Sequence, residues 1–374
     1  MATIRPRRLL AIARKEALQL RRDTRSLMMA FLMPAALIVF FGYIISFDVK
    51  DIKLAVLDQD HSQRSRELVQ SFVAAGRFRV TERLAAAAEV APLLDRGAVR
   101  MVLVIPPGFA RDLSAGTRAP VQALVDGADA NTAGIAMSYA TAIVTSYSAA
   151  IVLKATRMVP LVSPETRVWY NETLESPPMI VPGLIAVIMM MIAAMLTALT
   201  VAREWERGTM EQLAATPVHR AEVILGKLVP YLGIGLVDVL AAILIGMFVF
   251  DVPFRGNPFL LTIMTTMFLI GSLGLGIFIS AVLRSQLLAT QVAMIATFLP
   301  SLLLSGLMFD LNMMPPVLRG ISMLVPARYF ITVMRGIFLK DVGIPVLWLQ
   351  GLAMVAYAVL GLGLAIRAFR KEIE

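Results

Sequence analysis

Residues 179–202 read MIVPGLIAVIMMMIAAMLTALTVA, with no ionisable side chain, and residues 203–217 continue REWERGTMEQLAATP. An α-helix rises 1.5 Å per residue, so about 20 residues cross the roughly 30 Å hydrocarbon core of a bilayer. The run Met179–Ala202 is long enough, and it stops abruptly at a charged segment, as a helix leaving the membrane must. Five further runs qualify: Leu27–Phe47, Leu228–Phe250, Phe259–Leu283, Leu287–Phe309 and Ile344–Ile366, and only Leu228–Phe250 carries a charge, Asp238. The composition agrees, since 16% of residues are charged, against about 25% in soluble domains. The expected fold is an α-helical polytopic membrane protein with six transmembrane helices. Leu27–Phe47 is too long for a cleavable signal and follows a basic arm, so it is read as transmembrane helix 1.

The net charge of +9 is distributed unevenly. Residues 1–26 hold eight Lys/Arg against Glu16 and Asp23, whereas residues 48–178 hold fourteen basic and fourteen acidic groups. The excess sits at membrane edges, which is a positive-inside pattern and not a nucleic-acid-binding stripe. With the N-terminus inside, the short cytoplasmic segments carry sixteen basic residues and the short outer ones five, so the expected orientation is N-in/C-in.

Residues 48–178 are long enough for a domain with its own core. Apolar runs Ile52–Leu57, Met101–Ile105 and Val121–Val125 have the length of buried strands, with helical stretches at Arg64–Ala75 and Ala85–Leu94. That alternation predicts a periplasmic α/β domain between helices 1 and 2. An Ala-rich helix at about Asn131–Met158 is expected to lead back to the membrane, ending near Pro160 and Pro164.

Residues 1–26 place Leu9, Ile12, Ala13, Ala17 and Leu20 among Arg7, Arg8, Arg14, Arg21, Arg22 and Arg25. This is an amphipathic helix suited to an anionic leaflet and its lipids, or else a plain basic topogenic arm. The 203–227 loop offers Met210, Leu213 and Ala214 on one side of a short helix, which either docks on a soluble partner or is an ordinary solvated loop. No phosphate-binding Gly-x-x-x-x-Gly-Lys-[Ser/Thr] occurs, nor any Gly-x-Ser-x-Gly or His-Glu-x-x-His, so no catalytic residue and no nucleotide site are expected in this chain. There is no Cys and only His61 and His219, so no metal centre is expected either.

Four ordered blocks carry a resemblance. The first is Glu204-x-Glu206-x-Gly208-Thr209-x-Glu211-x-Leu213-x-x-Thr216-Pro217 with Glu222 and Gly226-Lys227. The second is Leu304–Phe309, Met314-Pro315, Val325-Pro326-Ala327-Arg328-Tyr329-Phe330 and Arg335-Gly336. Trp169-Tyr170-Asn171 with Val181–Ile185, and Ala55–Ser62, complete the set. The chain resembles, over essentially its whole length, the permeases of ABC (ATP-binding-cassette) exporters of the second type, in the multidrug-efflux-like branch with a large first loop.

The resemblance implies a half-transporter that forms a homodimer or a heterodimer with a related permease. It implies two cytoplasmic ABC ATPase subunits, which bind the ATP and Mg, and no cofactor on this chain. It makes Glu204, Glu206, Gly208, Thr209, Glu211, Leu213, Thr216 and Pro217 an ATPase-coupling segment. Residues 1–26, with Arg14, Lys15, Arg21 and Arg22, become an interface helix. Asp310, Pro315, Pro326, Arg328 and Tyr329 fall in an outer re-entrant segment, 310–343. The branch also implies a periplasmic adaptor, an outer-membrane channel and a bacterial inner-membrane location. Glu172 and Asp341 depart from the pattern, standing where Pro and Gly are expected.

The residues alone leave other readings open. Intramembrane Asp238 is a functional group or a neutral acid hydrogen-bonded to a neighbouring helix. The 23 Met residues fit irregular apolar packing better than copper ligation, since three consecutive Met cannot share one helix face. Gly271-x-x-Gly274-x-Gly276 permits close helix approach. The rival function is a membrane receptor with an extracytoplasmic ligand-binding domain, against which stands the short C-terminal tail. A mostly neutral apolar interior fits amphipathic or hydrophobic cargo.

Overall fold

The computed structural model describes residues 5–45, 51–128, 130–156, 176–311 and 313–369, without the side chains at 25, 130, 131, 152–156, 213 and 214. The motif Trp169-Tyr170-Asn171, the departure at Glu172 and the prolines at 160 and 164 lie outside these residues. The chain divides into two compact units, Met1–Ser46 with Val168–Glu374, and Phe47–Arg167.

The first unit begins with α1 (Pro6–Arg22) and α2 (Thr24–Ile44). They are separated at Asp23, whose carboxylate accepts from the Ser26 amide at 3.2 Å and so caps α2.

The second unit is built on a four-stranded sheet of β1 (Ile52–Asp58), β2 (Phe78–Arg83), β3 (Met101–Ile105) and β4 (Gln122–Val125), ordered β2-β1-β3-β4. β1 runs parallel to β2 and β3, and β4 is antiparallel to β3. Side chains alternate across a strand, so Ile52, Leu54 and Val56 enter one core and Ala55 and Leu57 the other. Helix α3 (Gln63–Ala74) packs on the first face through Leu68 and Phe72, and α4 (Val90–Asp95) on the second through Val90. Helix α5 (Phe109–Ser114) adds Phe109 to the first face, and the long α6 (Ala130–Thr156) closes it with Ala136 and Ala140.

Both central strands match the expectation, because strands buried on two faces are apolar throughout. The edge strand β2 buries only Phe78 and has no counterpart among the expected strands. The expected helix Ala85–Leu94 is instead a short 3₁₀ turn, Ala87–Glu89, followed by α4. The Glu89 carboxylate accepts from the Ala86 amide at 3.0 Å, which fixes that late start.

The chain returns to the first unit as α7 (Ser176–Glu206), the short α8 (Met210–Ala214), α9 (Arg220–Val249), α10 (Pro258–Leu283) and α11 (Gln286–Leu304). It ends with α12 (Pro316–Ser322), α13 (Pro326–Lys340) and α14 (Ile344–Ala368). Helix α7 is the axis, almost wholly buried and packed against α2, α9, α10, α11 and α13. Helix α10 crosses α14 so closely that a Cβ on Gly274 would lie 2.7 Å from the Gly361 carbonyl carbon, and only glycine permits that approach.

Among the described residues, seven helices are long and apolar enough to cross a membrane: the six expected ones and Thr132–Ile151 within α6. The pair α12 and α13, bent by 76°, would make an eighth if counted as one span. The chain is therefore a helical polytopic membrane protein with a small mixed-sheet unit after its first apolar helix. The run expected to continue to Phe309 stops at Leu304, because Gly306 turns the backbone left-handed at φ 85°. Asp341 has φ 51° and ends α13 with its amide donating to the Gly336 carbonyl. The expected Gly is thus replaced by one of the few side chains that tolerates this conformation.

Candidate functional site at the charged end of the helical unit

Helix α7 ends where Gly208 adopts φ 69° and the Thr209 amide donates to the Glu204 carbonyl at 3.1 Å. The chain then makes α8 and turns into α9. Glu222, on the first turn of α9, accepts from the His219 amide at 2.8 Å and from the Arg5 amide at 2.7 Å. One carboxylate thereby satisfies the opening N–H groups of two helices. The Arg8 guanidinium also donates to the Pro217 carbonyl, so the start of α1 is fastened to the 203–227 loop.

Deeper in, four charges from three helices meet. The Lys227 ammonium of α9 is 1% exposed and lies 2.7 Å from Glu16 Oε1 of α1 and 3.0 Å from Glu204 Oε1 of α7. Lys15, on α1, approaches the same Glu204 oxygen at 3.0 Å from the solvent side. The cluster is electrically neutral, two ammonium groups against two carboxylates, which is the condition for burying charge at all. Gly226 makes room for it, since a Cβ there would sit 2.8 Å from the Ile12 Cβ on α1.

A second pair lies beside it. Arg203 on α7 reaches Asp23, between α1 and α2, at 2.7 Å. Burial alone would raise the Asp23 carboxyl, but the Ser26 hydroxyl and amide and the Arg203 guanidinium together hold it below the usual carboxylate range. Glu206 accepts from the Gln286 amide at 2.7 Å and so caps α11, while Arg284 stacks over Trp205 at 4.4 Å.

The sequence-predicted coupling residues therefore separate by role. Glu204 points inward to Lys227, and Glu206 is spent on α11. Met210 is buried against its own chain and fixes α8, so it is not offered to a partner as expected. Gly208 and Glu211 remain exposed on the loop with Thr216 and Pro217. Leu213 belongs to α8, but its side chain lies outside those described. On α1, Arg14 and Arg21 are exposed, Lys15 joins the buried cluster, and Arg22 lines a cleft of about 890 Å³. Leu9, Ile12, Ala13 and Leu20 turn toward the protein, while Leu10 and Leu18 are the exposed large apolar groups of α1. Sequence reasoning misses Glu16, although a lone carboxylate inside the apolar stripe at Ile12, Ala13 and Leu20 is the signal that could have found it.

Asp238 is 4% exposed on α9, with no hydrogen-bond partner among the described residues. At the opposite end, Pro315 caps α12 and Pro326 opens α13. The Arg328 guanidinium donates to the Ser322 hydroxyl at 2.6 Å, and the Tyr329 hydroxyl to the Met323 carbonyl at 2.9 Å. Asp310 accepts the Met313 amide through its carbonyl and borders an apolar cavity of about 520 Å³. Arg335 is not among the site residues singled out from the sequence, yet it ties α13 to the Met179 carbonyl at 3.0 Å.

Residues 25–367 match the family described as ABC-2 family transporter protein. The chain belongs to the ABC-2 transporter family. It is 35% identical to the Probable multidrug ABC transporter permease YbhS of Escherichia coli over 98% of both chains. It is 29% identical to the Probable multidrug ABC transporter permease YbhR of the same organism, covering 91% of this chain and 92% of that one. The Inner membrane transport permease YhhJ of E. coli is 29% identical, with 86% and 85% covered. This ABC-2 protein is a multi-pass membrane permease subunit, homologous to inner-membrane permeases, and the ATPase of such a transporter is a separate subunit. Its sequence has no nucleotide motif, and among the described residues no group of three or more potential ligands is placed to hold a metal ion.

Proposed function

We propose that this permease is the membrane half of an ATP-driven exporter, set N-in/C-in with six spans, and that α8 with the start of α1 receives the ATPase subunits. The observation that carries the reading is the four-charge cluster. It lies beneath the Gly208–Pro217 loop, which exposes Gly208, Glu211, Thr216 and Pro217, and joins the interface helix, the central span α7 and the third span in one neutral group. Force applied at the loop therefore reaches three helices together. Residues 1–26 form the cytoplasmic interface helix, 27–47 the first span, 48–178 the periplasmic domain and 179–374 the remaining spans. Thr132–Ile151 belongs to the periplasmic domain, since Ala136 and Ala140 are committed to its sheet. The segment 310–343 re-enters the membrane from outside, which its 76° bend supports.

Two such chains enclose the path, either identical or a pair of different permeases, as YbhS and YbhR are different permeases of one organism. Export of amphipathic or hydrophobic compounds accords with the multidrug relatives and with the apolar interior. A periplasmic adaptor and an outer-membrane channel complete the assembly.

The chain has no Cys, so the Gln212→Cys substitution provides a single, clean thiol probe on α8. Cross-linking of this variant in native membranes is expected to capture a co-purifying ATP-hydrolysing subunit, with a yield that changes with nucleotide. A chain that purifies without such a subunit, and whose introduced thiol captures none, overturns the reading.

A further inference from the structure

The ion pairs at the charged end leave a remainder. Lys227 pairs with Glu16, Lys15 with Glu204 and Arg203 with Asp23. Arg22 and Arg207 are exposed, and neither side chain has an ion pair or hydrogen bond among the described residues. Both line the cleft of about 890 Å³ between the α1–α2 junction, the end of α7 and the start of α11. Leu18, Met29 and Leu199 line it as well.

The cleft straddles the line where charged sequence becomes apolar. Helix α2 is uncharged from Ser26, α7 is uncharged up to Ala202, and α11 is uncharged from Gln286. The Asp23–Arg203 pair at 2.7 Å and the bond from the Gln286 amide to Glu206 at 2.7 Å bring these three transitions to one level. A ligand with an anionic head and an apolar tail matches both halves of such a cleft. Guanidinium groups bind phosphate and carboxylate through paired N–H donors, and they do so best when no protein carboxylate already claims them.

We propose that this cleft binds the anionic headgroup of a membrane amphiphile, with Arg22 and Arg207 on the headgroup and Met29 and Leu199 along the first part of its tail. The inference rests on the transporter reading only in placing the cleft at the cytoplasmic leaflet. The headgroup has two possible sources of the same chemistry, a resident phospholipid or a transported anionic amphiphile.

The test uses the full-length permease alone in detergent, so it does not depend on finding an ATPase. Retention of phosphatidylglycerol and of phosphatidylcholine is compared by native mass spectrometry. Wild type is expected to retain phosphatidylglycerol preferentially. The preference should fall about fivefold for Arg22→Gln or Arg207→Gln and about twenty-five-fold for both, each basic group near an anionic lipid surface being worth that order. Arg→Lys at both positions, which keeps the charge but loses the paired donors, should retain only part of it. Size-exclusion profiles confirm that each variant is folded. Equal retention of the two lipids by wild type, or an unchanged preference in the folded double variant, overturns the site. In vesicles holding the permease with its ATPase, ATP-dependent outward movement of a labelled phosphatidylglycerol supports a transported headgroup, and ATP-independent retention supports a resident one.

Discussion

The two ends of the helical unit are held together by different physics. At the charged end the bonds join ionised side chains far apart in sequence, Lys15 to Glu204 and Lys227 to Glu16, 189 and 211 positions away. At the end formed by α12 and α13 most are local bonds to neutral groups, Arg328 to Ser322 and Tyr329 to the Met323 carbonyl, each six positions apart. The charged end has interchangeable partners, since Lys15 and Lys227 both lie 3.0 Å from the same Glu204 oxygen. Helices there can shift and re-pair without leaving a buried charge alone. The α12–α13 end is tied mostly within itself. On the exporter reading proposed above, one end transmits displacement and the other resists it.

The largest expected effect breaks the first half of that comparison. Lys227→Met leaves Glu16 and Glu204 facing each other with only the more exposed Lys15 to balance them. Losing one partner of a buried pair costs about 3–5 kcal/mol, which should appear as a large drop in the thermal unfolding midpoint of the purified permease. Adding Glu16→Gln to Lys227→Met should recover part of the loss, because the surviving cluster is again neutral. Additive losses would show that the four charges do not act as a unit.

A smaller effect belongs to a long reach at the opposite end. Arg335→Met removes a charged donor from the Met179 carbonyl, and such bonds contribute about 1.5–3 kcal/mol. The 25 residues of α7 between Met179 and Glu204 span roughly 37 Å, so this loss should add to that of Lys227→Met. The measurement is again the unfolding midpoint, for each single variant and for the pair. A coupling between the two ends larger than about 0.5 kcal/mol would mean that the α12–α13 end shares in the proposed transmission.

How much of this is legible in sequence follows the same division. The six apolar runs are readable because crossing a bilayer requires length without charge, a property of one segment at a time. The left-handed ends at Gly208 and Gly306 are local too, although extending the fifth run to Phe309 reads through Gly306. What stays hidden depends on two segments meeting. Glu16 and Lys227 look like unrelated edge charges until α1 lies on α9. Met210 looks like a docking residue until α8 folds onto its own chain. In the sheet unit, β1 and β3 declare themselves because both their faces are buried. The edge strand β2 does not, since Arg79, Glu82 and Arg83 are as soluble there as in a loop.

Acid should separate the two ends by the smallest and most specific effect. Asp23 has its carboxyl held below the usual range against the contrary pull of burial, by Ser26 and Arg203. A carboxylate depressed in the folded state contributes stability that is fully present above its unfolded value, about 4. That contribution is lost as pH falls through the lower folded value. The α2 cap and the tie to α7 should therefore be intact between about pH 5 and 8 and loosen only in stronger acid. Arg335 bonds to the Met179 carbonyl, which does not titrate in this range, so α13 has no matching step there. Hydrogen exchange of the Ser26 amide, which donates to Asp23 at 3.2 Å, should accelerate below about pH 4 relative to amides of α13, after correction for intrinsic rates. Asp23→Asn keeps an oxygen that accepts from the Ser26 amide but does not titrate, so its exchange at Ser26 should show no such step. A step that survives in Asp23→Asn would transfer the acid response to Glu204, and with it the tie between α1 and α7.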